Sequence, residues 1–170
     1  DGFDVLLNIC SLWREGSHSG WGYESAYPDI EPALGYYDEG LPETADWEIK
    51  YMLEHGIDFQ AFCVYFNTAY GPIKLDDNDL SAQLLDGFMN AKYSYMAKYC
   101  ILWEAGAYNP YALESMEKYF APYIIENFFK DPRYMVIDNK PVICMFGPGS
   151  YKNTIGGAEK MKESFDYLEN

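Results

Sequence analysis

The sequence has few of the residues from which metal and nucleic-acid sites are commonly built. It contains two histidines and four cysteines in 170 residues. No CxxC pair or histidine-bearing spacing accompanies the cysteines, so no zinc site is predicted. Lysine and arginine number 12 against 27 aspartates and glutamates, which gives a net charge of −15. An acidic protein of this kind repels phosphate backbones, so nucleic acid is not expected as a partner.

Long apolar runs and nucleotide-binding motifs are also missing. No apolar run approaches the ~20 residues that a bilayer-crossing helix needs, so we expect a soluble chain without a membrane span. No GxGxxG follows the first apolar segment and no GxxxxGK[ST] occurs, which disfavours a dinucleotide-binding Rossmann unit and a P-loop. No cofactor is expected. The chain begins at Asp1 without a methionine or a charged leader, as expected of a processed or excerpted chain.

Apolar and aromatic residues are abundant instead. They make up 49% of the chain, including 17 tyrosines and 4 tryptophans, which is enough for one folded domain over residues 1–170. Aromatic rings usually belong to the core, but rings at the mouth of a pocket also stack on the apolar faces of sugars. Both interpretations remain open at this point.

Four apolar segments have the pattern of buried strands. They span residues 3–13, 57–66, 99–103 and 141–146. The second is almost continuously apolar, which is typical of a strand covered on both faces in a parallel sheet. Each segment contains one cysteine, at positions 10, 63, 100 and 144, and we expect these to be buried free thiols.

Helical patterns alternate with the strands. Thr44 is predicted to cap a helix that Gly56 ends in a left-handed conformation. A second helix is predicted over residues 80–96, and a third from Asn109 to 129 with a break or kink at Pro122. A short ribbon over residues 134–140 leads into the fourth strand, and a last helix follows residue 157.

This alternation predicts an α/β protein with parallel strands and right-handed crossovers. A (β/α)₈ TIM barrel needs ~250 residues, so the four βα units account for about its N-terminal half. The remaining half of the barrel is then expected to come from the same protein.

Strand parity points to a site at the carboxyl end of the strands, where barrel active sites lie. Arg14, Asn67 and Glu104 share strand faces with cysteines 10, 63 and 100, and a long aperiodic loop follows the first strand. Glu104 is the predicted catalytic carboxylate; a solvated glutamate or a partner for Arg14 is the alternative. The predicted substrate contacts are Trp13, Arg14, His18, Trp21, Tyr65, Asn67 and Trp103, with core or rim packing as the alternative for Trp13 and Trp103. The acidic run at Asp76, Asp77 and Asp79 lacks the glycine and distal glutamate of a calcium loop, so we interpret it as a solvated turn.

Several motifs resemble a known family. The run TADWEIKYMLEHGIDFQAFCVYF is similar to the helix and "GIDGFxFYYYWF" strand of glycoside hydrolase family 99-like domains, and GYYDEGLPE resembles the "LGYYDL" before it. YCILWEAG resembles the third strand of these domains. FFKDPRYMVIDNKPVICMFGP is close to their "FxDPRYxxVDGKPVFxIYxP" and is the most specific match.

The resemblance implies a (β/α)₈ barrel that acts on α-linked, mannose-like glycans, and it favours a secreted or periplasmic protein. Family members cleave internal α-mannoside linkages or accompany polysaccharide biosynthesis, and the paired catalytic glutamates of the family lie in a later region than these 170 residues. Two hypotheses follow: the first half of a mannosidase-like glycoside hydrolase, or a non-catalytic glycan-binding or polysaccharide-assembly domain. A third, a metal-dependent hydrolase, is disfavoured by the scarcity of histidine.

Overall fold

The computed structural model describes residues 4–14, 21–66, 75, 81–106 and 112–169. They fall into two compact units. Unit 1 comprises Asp1–Cys63 and Asp77–Tyr99, and unit 2 comprises Val64–Asp76 and Cys100–Asn170. Both units combine helices with parallel strands, so the fold is mixed α/β, as the sequence predicts. The assignment of residues 1–170 to one domain stays a prediction.

The strands of unit 1 differ in burial. β1 (Leu6–Ile9) and β2 (Phe59–Val64) pair in parallel, with Leu6 opposite Phe59. Every residue of β2 is buried, as predicted. The prediction that the first strand is buried is wrong, because Leu6 and Leu7 are 40% and 36% exposed. Among the described residues of unit 1, β1 has a strand neighbour on one side alone, so its other side stays open.

Helix α1 (Pro42–Glu54) packs one face into unit 1 through Ala45, Ile49 and Met52. It begins at Pro42 with Leu41 at the cap position, so the prediction of Thr44 as the cap is wrong. Proline suits the first helical turn because its φ is preset and its missing N–H would have no partner there. Gly56 follows the helix at φ 72°, which confirms the predicted left-handed stop.

The helix predicted over residues 80–96 is interrupted. It consists of a π-helical turn, Gln83–Gly87, and two 3₁₀ turns, Phe88–Asn90 and Ser94–Met96. The Asn90 side-chain amide donates to the carbonyl oxygens of Leu85 and Asp86 at 3.0 and 2.9 Å. The Asn90 side chain thus bonds two carbonyl oxygens of the preceding turn at the point where the helical winding tightens and the first helical stretch ends.

A further parallel pair is formed in unit 2. β3 (Lys98–Glu104) is followed by a two-stranded antiparallel ribbon, β4 (Val136–Ile137) and β5 (Lys140–Pro141), and then by β6 (Ile143–Phe146). β6 pairs in parallel with β3, and Glu104 stands opposite Phe146. Asp138 and Asn139 form the ribbon turn with φ of 49° and 61°. The predicted third strand, ribbon and fourth strand are thus confirmed.

The long helical segment of unit 2 passes through Pro122. It runs through α2 (Leu113–Ser115), a π-helical turn (Met116–Phe120), α3 (Ala121–Ile124) and a second π-helical turn (Ile125–Phe129). Proline lacks a helical donor and clashes with the carbonyl four residues earlier, and the regular α-helix is interrupted by a π-helical turn on each side of the short segment that contains it. The chain therefore does not break at Pro122, but its α-helical winding changes there. The predicted start at Asn109 lies outside the described residues.

Two further helices complete unit 2. α4 (Pro148–Ile155) begins directly after Gly147, so this glycine-rich segment starts a helix as well as ending β6. α5 (Ala158–Glu169) follows residue 157 as predicted. No helix in the described part of the chain is long and apolar enough to cross a membrane.

The cysteines have different environments. Cys63 and Cys100 are buried and Cys144 is half-buried, while Cys10 is exposed. The prediction of a buried thiol is therefore wrong for Cys10, which follows the open strand β1. The sulfur atoms of Cys100 and Cys144 lie 3.9 Å apart, so these two residues share one face of unit 2, as strand parity predicts.

Candidate functional site

Glu104 ends β3 and lies in the turn that leaves the strand. Its side chain is half-buried, and its Oε1 accepts a hydrogen bond from the backbone N–H of Gly106 at 2.9 Å. This contact fixes one oxygen against the local backbone. The hydrogen bond therefore restricts the orientation of the Glu104 carboxylate at the carboxyl end of β3.

The turns after β3 and β6 approach each other closely. The backbone N–H of Ala105 donates to the Phe146 carbonyl at 2.9 Å, which extends the parallel pairing by one residue. Gly147 then adopts φ 72°, and a Cβ atom built on it would lie 3.3 Å from the Gly106 nitrogen. Because only glycine fits there without strain, Gly147 supports the turn that holds the Glu104 carboxylate.

Trp103 precedes Glu104 but points away from solvent. Its side chain is 0% exposed, and its ring centroid lies 4.4 Å from that of Phe120 and 4.8 Å from that of Tyr151. A sugar contact requires an accessible ring face, so the burial favours the alternative of core packing. Its role as a substrate contact stays an untested prediction.

Tyr65 directly follows β2 and is half-buried. Its neighbour Phe66 is buried and packs edge-on against Phe120, with ring centroids 5.1 Å apart. Packing of Phe66 therefore fixes the backbone beside Tyr65. Asn67, the next predicted contact, lies outside the described residues.

In unit 1, two predicted residues after β1 form a stacked pair. The rings of Trp13 and Trp21 lie 4.2 Å apart, between centroids, at 12°. The Trp21 indole N–H donates to the Tyr37 carbonyl oxygen at 2.6 Å, which fixes the ring. Both tryptophans are half-buried, so the pair retains accessible surface. His18 lies outside the described residues.

Arg14 is paired with two carboxylates. Its Nε lies 3.5 Å from Asp38 Oδ2, and its Nη1 lies 3.4 Å from Asp86 Oδ2. All three side chains keep solvent exposure of about a quarter or more, so screening weakens both pairs. Arg14 follows Trp13 in the sequence, so a cationic side chain and the stacked tryptophans belong to the same part of unit 1.

Glu39 is a site residue that sequence reasoning missed. It is 5% exposed, and its Oε2 accepts the backbone N–H groups of Leu12 and Trp13 at 2.8 and 2.9 Å. Burial raises the pKa of Glu39, while these hydrogen bonds act in the opposite direction. Glu39 therefore anchors the segment that carries Trp13 and Arg14. The only sequence signal was its place in the tyrosine-rich turn GYYDEGLPE.

A second overlooked carboxylate, Glu48, lies near Glu39. Burial raises the pKa of Glu48 to about 7, with a further increase from the charge of Glu39. Burial and the charges of both glutamates raise the pKa of Tyr37 to about 12. The three groups therefore form one electrostatically coupled cluster in unit 1.

The predicted residues are thus distributed over both units. Trp13, Arg14 and Trp21 belong to unit 1, where the two tryptophans stack, whereas Tyr65, Trp103 and Glu104 belong to unit 2. Within the described ranges, no group of three or more histidine, cysteine, aspartate or glutamate side chains is arranged to hold a metal ion.

Comparison with known proteins gives a structural relationship. A scan against models of protein families finds no match, and a search of curated proteins finds none. Among solved structures, the chain is similar to the glycoside hydrolase family 99 endo-α-mannosidase from Bacteroides thetaiotaomicron in complex with bis-tris-propane. The TM-score is 0.56 at 16% identity, and the match covers 86% of this chain and 42% of the enzyme. Another structure of the family 99 endo-α-mannosidase from this organism matches with a TM-score of 0.47 at 18% identity, over 69% of this chain and 30% of that one.

The resemblance predicted from the sequence motifs is thereby confirmed at the level of the fold. The chain shares the fold of the first of these enzymes over the matched part, and it spans less than half of that enzyme's length.

Proposed function

We propose that this chain forms about half of a (β/α)₈ barrel that acts on α-linked, mannose-like glycans. The observation that carries the proposal is the similarity of the fold to an endo-α-mannosidase over 86% of the chain. The alternation of parallel strands and helices within each unit also supports it. The remaining half of the barrel is supplied by the same protein.

In this proposal Glu104 is the substrate-facing carboxylate of the present half. Its Oε1 accepts a hydrogen bond from the backbone N–H of Gly106, and the carboxylate contacts a sugar hydroxyl in this proposal. Glycoside hydrolysis generally uses two carboxyl groups, of which one protonates the leaving oxygen. The paired catalytic glutamates belong to the other half, and Glu104 orients the sugar toward them.

The residues after β1 provide the apolar surface of the proposed glycan site. The stacked rings of Trp13 and Trp21 offer a flat surface for a sugar face, and Arg14 donates to ring hydroxyls at its edge. Tyr65, His18 and Asn67 are further proposed contacts.

A second candidate is a glycan-binding or polysaccharide-assembly domain without catalysis. It is favoured by one observation, that the Glu104 carboxylate accepts a hydrogen bond from its own turn, which is a structural role. The same barrel would then bind glycans and leave them intact.

The test uses the full-length protein that contains this chain. Cleavage of α-mannan oligosaccharides, with turnover reduced at least 100-fold in Glu104→Gln, supports the first candidate. The matched control is Glu126→Gln, an exposed glutamate of unit 2, which should leave turnover within twofold. Calorimetric binding of the oligosaccharides without any cleavage supports the second candidate. If neither binding nor cleavage occurs across a broad panel of glycans, both candidates are wrong.

A further inference from the structure

Unit 1 has an exposed apolar groove on one flank of α1. The groove has a volume of about 560 Å³ and lies between α1 and the 3₁₀ turn Ser94–Met96. We refer to it as the α1 groove. Its large apolar side chains are between 37% and 53% exposed, and they are Trp47, Leu53, Tyr93 and Met96. A concave cluster of exposed apolar side chains is typical of an interaction site.

The α1 groove lies on a different flank of the helix from β1. The residues of α1 that line a cavity beside β1 include Glu48, Met52 and His55. The groove is lined instead by residues at positions 43, 46, 47, 50, 53 and 54. These positions recur at intervals of three or four, so they form one stripe along the helix. Continuation of the proposed barrel at the open side of β1 therefore does not require the groove to be covered.

The two walls of the groove are joined to each other. The Asp46 Oδ1 in α1 accepts the backbone N–H of Tyr93 at 2.9 Å. Ile49 also lines the groove and is buried in the core of unit 1. A surface that is already in its binding conformation loses little conformational freedom when an occupant arrives. The α1 groove is therefore pre-formed.

The charges of the α1 groove favour a basic occupant. Three carboxylates line it, against one ammonium group, that of Lys50; they belong to Glu43, Asp46 and Glu54. The Lys50 Nζ lies 2.8 Å from Glu54 Oε2 and 5.5 Å from the centroid of the Trp47 ring. The groove thus already holds one cation next to a carboxylate and an aromatic ring, which is favourable for lysine and arginine side chains. The net charge of −15 attracts basic partners over longer distances.

The shape of the groove favours a helical occupant. Its walls are helical, so they offer no strand edge with which an extended peptide would pair. The stripe from Glu43 to Glu54 is about 16 Å long at 1.5 Å per residue, which equals three turns of a second helix. We propose that the α1 groove binds a basic amphipathic helix of a partner protein. Apolar side chains of that helix fill the groove, and its lysines and arginines face the carboxylates. This role is independent of the proposed action on glycans.

Fluorescence anisotropy of labelled peptides tests the proposal on the full-length protein that contains this chain. The probe is the capped helical peptide LKKLLKLLKKLLKL, and its counterpart LEELLELLEELLEL has the same apolar face with the opposite charge. We expect saturable binding of the basic peptide, at least 10-fold tighter than that of the acidic peptide. Equal affinity for both peptides, or no binding of the basic one, overturns the proposal.

Two matched pairs of variants locate the binding surface. Trp47→Ala should weaken binding of the basic peptide at least 10-fold, whereas Tyr27→Ala removes an exposed ring of unit 1 outside the groove and should change the affinity less than twofold. Glu43→Lys should weaken binding at least fivefold. Glu31→Lys makes the same change of net charge at an exposed position outside the groove and should have less than a twofold effect. Because Glu43 is exposed, the second pair decides the question if Trp47→Ala does not fold. Equal losses within a folded pair overturn the proposal.

Other occupants of the α1 groove give different results. Sedimentation velocity detects a dimer of the unmodified protein, and Trp47→Ala would abolish that dimer if the groove binds a second copy. Cosedimentation with phosphatidylcholine vesicles detects a membrane surface, and this binding would likewise depend on Trp47 if the groove binds lipid. Either result overturns the proposal.

Discussion

The carboxylate of Glu39 accepts the backbone N–H of Trp13 at 2.9 Å across 26 residues of sequence. The same oxygen accepts the N–H of Leu12 at 2.8 Å. One buried side chain thus fixes the direction in which the chain leaves β1, and with it the position of the tryptophan pair. The predictions below concern this contact, the pKa of Glu48, the backbone at Gly147 and the thiol pair of unit 2.

Replacing Glu39 with alanine should lower the free energy of unfolding by about 2–4 kcal/mol, because two backbone donors lose a charged acceptor. Glu39→Gln keeps an acceptor oxygen and should cost less than half as much. The midpoint of urea unfolding measures both changes. A loss within 0.5 kcal/mol for the alanine variant, as expected of a surface position, would show that the contact does not anchor the segment.

The raised pKa of Glu48 predicts a pH dependence of stability. Because the folded pKa of about 7 exceeds the usual 4.5, the folded state holds the proton more tightly than the unfolded state between these values. The free energy of unfolding should therefore fall by up to about 3 kcal/mol as the pH rises from 4.5 to 7, and change no further above that range on account of this group. Burial also raises the pKa of Glu39, which contributes in the same direction.

Urea unfolding of the unmodified protein and of Glu48→Gln at intervals of half a pH unit checks this prediction. The difference between the two profiles isolates Glu48 from the other acidic groups. If the free energy of unfolding of the two proteins changes with pH in the same way, the pKa of Glu48 is not raised in the folded state.

Gly147 should not tolerate a side chain. Alanine at φ 72° is strained by about 1–2 kcal/mol, and its Cβ would also press on the Gly106 nitrogen at 3.3 Å. Gly149→Ala is the matched control, since a Cβ there meets nothing within 4 Å inside α4. That substitution should stabilise the helix by about 0.5–1 kcal/mol. Thermal unfolding of the two variants should therefore shift in opposite directions, and equal shifts would contradict the assigned backbone conformation.

Cys144 should react with iodoacetamide at neutral pH faster than Cys100. The hydrogen bond from the Cys100 thiol lowers the pKa of Cys144 to about 7, whereas that bond and burial raise the pKa of Cys100. Peptide-resolved mass spectrometry separates the sites. Cys100→Ala removes the donor, so half-maximal labelling of Cys144 should move toward pH 8.5. Unchanged labelling would show that the two thiols do not interact.

The sequence pattern predicts the central strands better than the open one. β2 is buried throughout and β3 is largely buried, and their apolar runs predict both strands correctly. The apolar run of β1 also predicts a buried strand, yet β1 is exposed. Burial depends on which other elements pack against a strand, and the spacing of apolar residues does not reveal that. The helix predicted over residues 80–96 is divided into a π-helical turn and two 3₁₀ turns, and the Asn90 amide bonds the carbonyls of Leu85 and Asp86 at the end of the first stretch, a tertiary detail that apolar periodicity does not contain.

The candidate site was predictable only in part. Strand parity places Glu104 at the end of β3, where it lies. Glu39 and Glu48 were overlooked because acidic residues in a turn and on a helix normally face solvent. Only the tertiary fold reveals that Glu39 is buried and that the half-buried Glu48 lies close enough for the charge of Glu39 to raise its pKa.

The π-helical turns on either side of α3 have an evolutionary consequence. Each such turn contains one residue more than regular α-helical spacing requires. Loss of a single codon from 116–120 or 125–129 would therefore tighten the turn and leave the flanking sequence in its original orientation. Related chains can accordingly differ in length by one residue at these two places. A one-residue gap there in a sequence alignment then reflects a change from a π-helical to an α-helical turn, and not a change in the length of a loop.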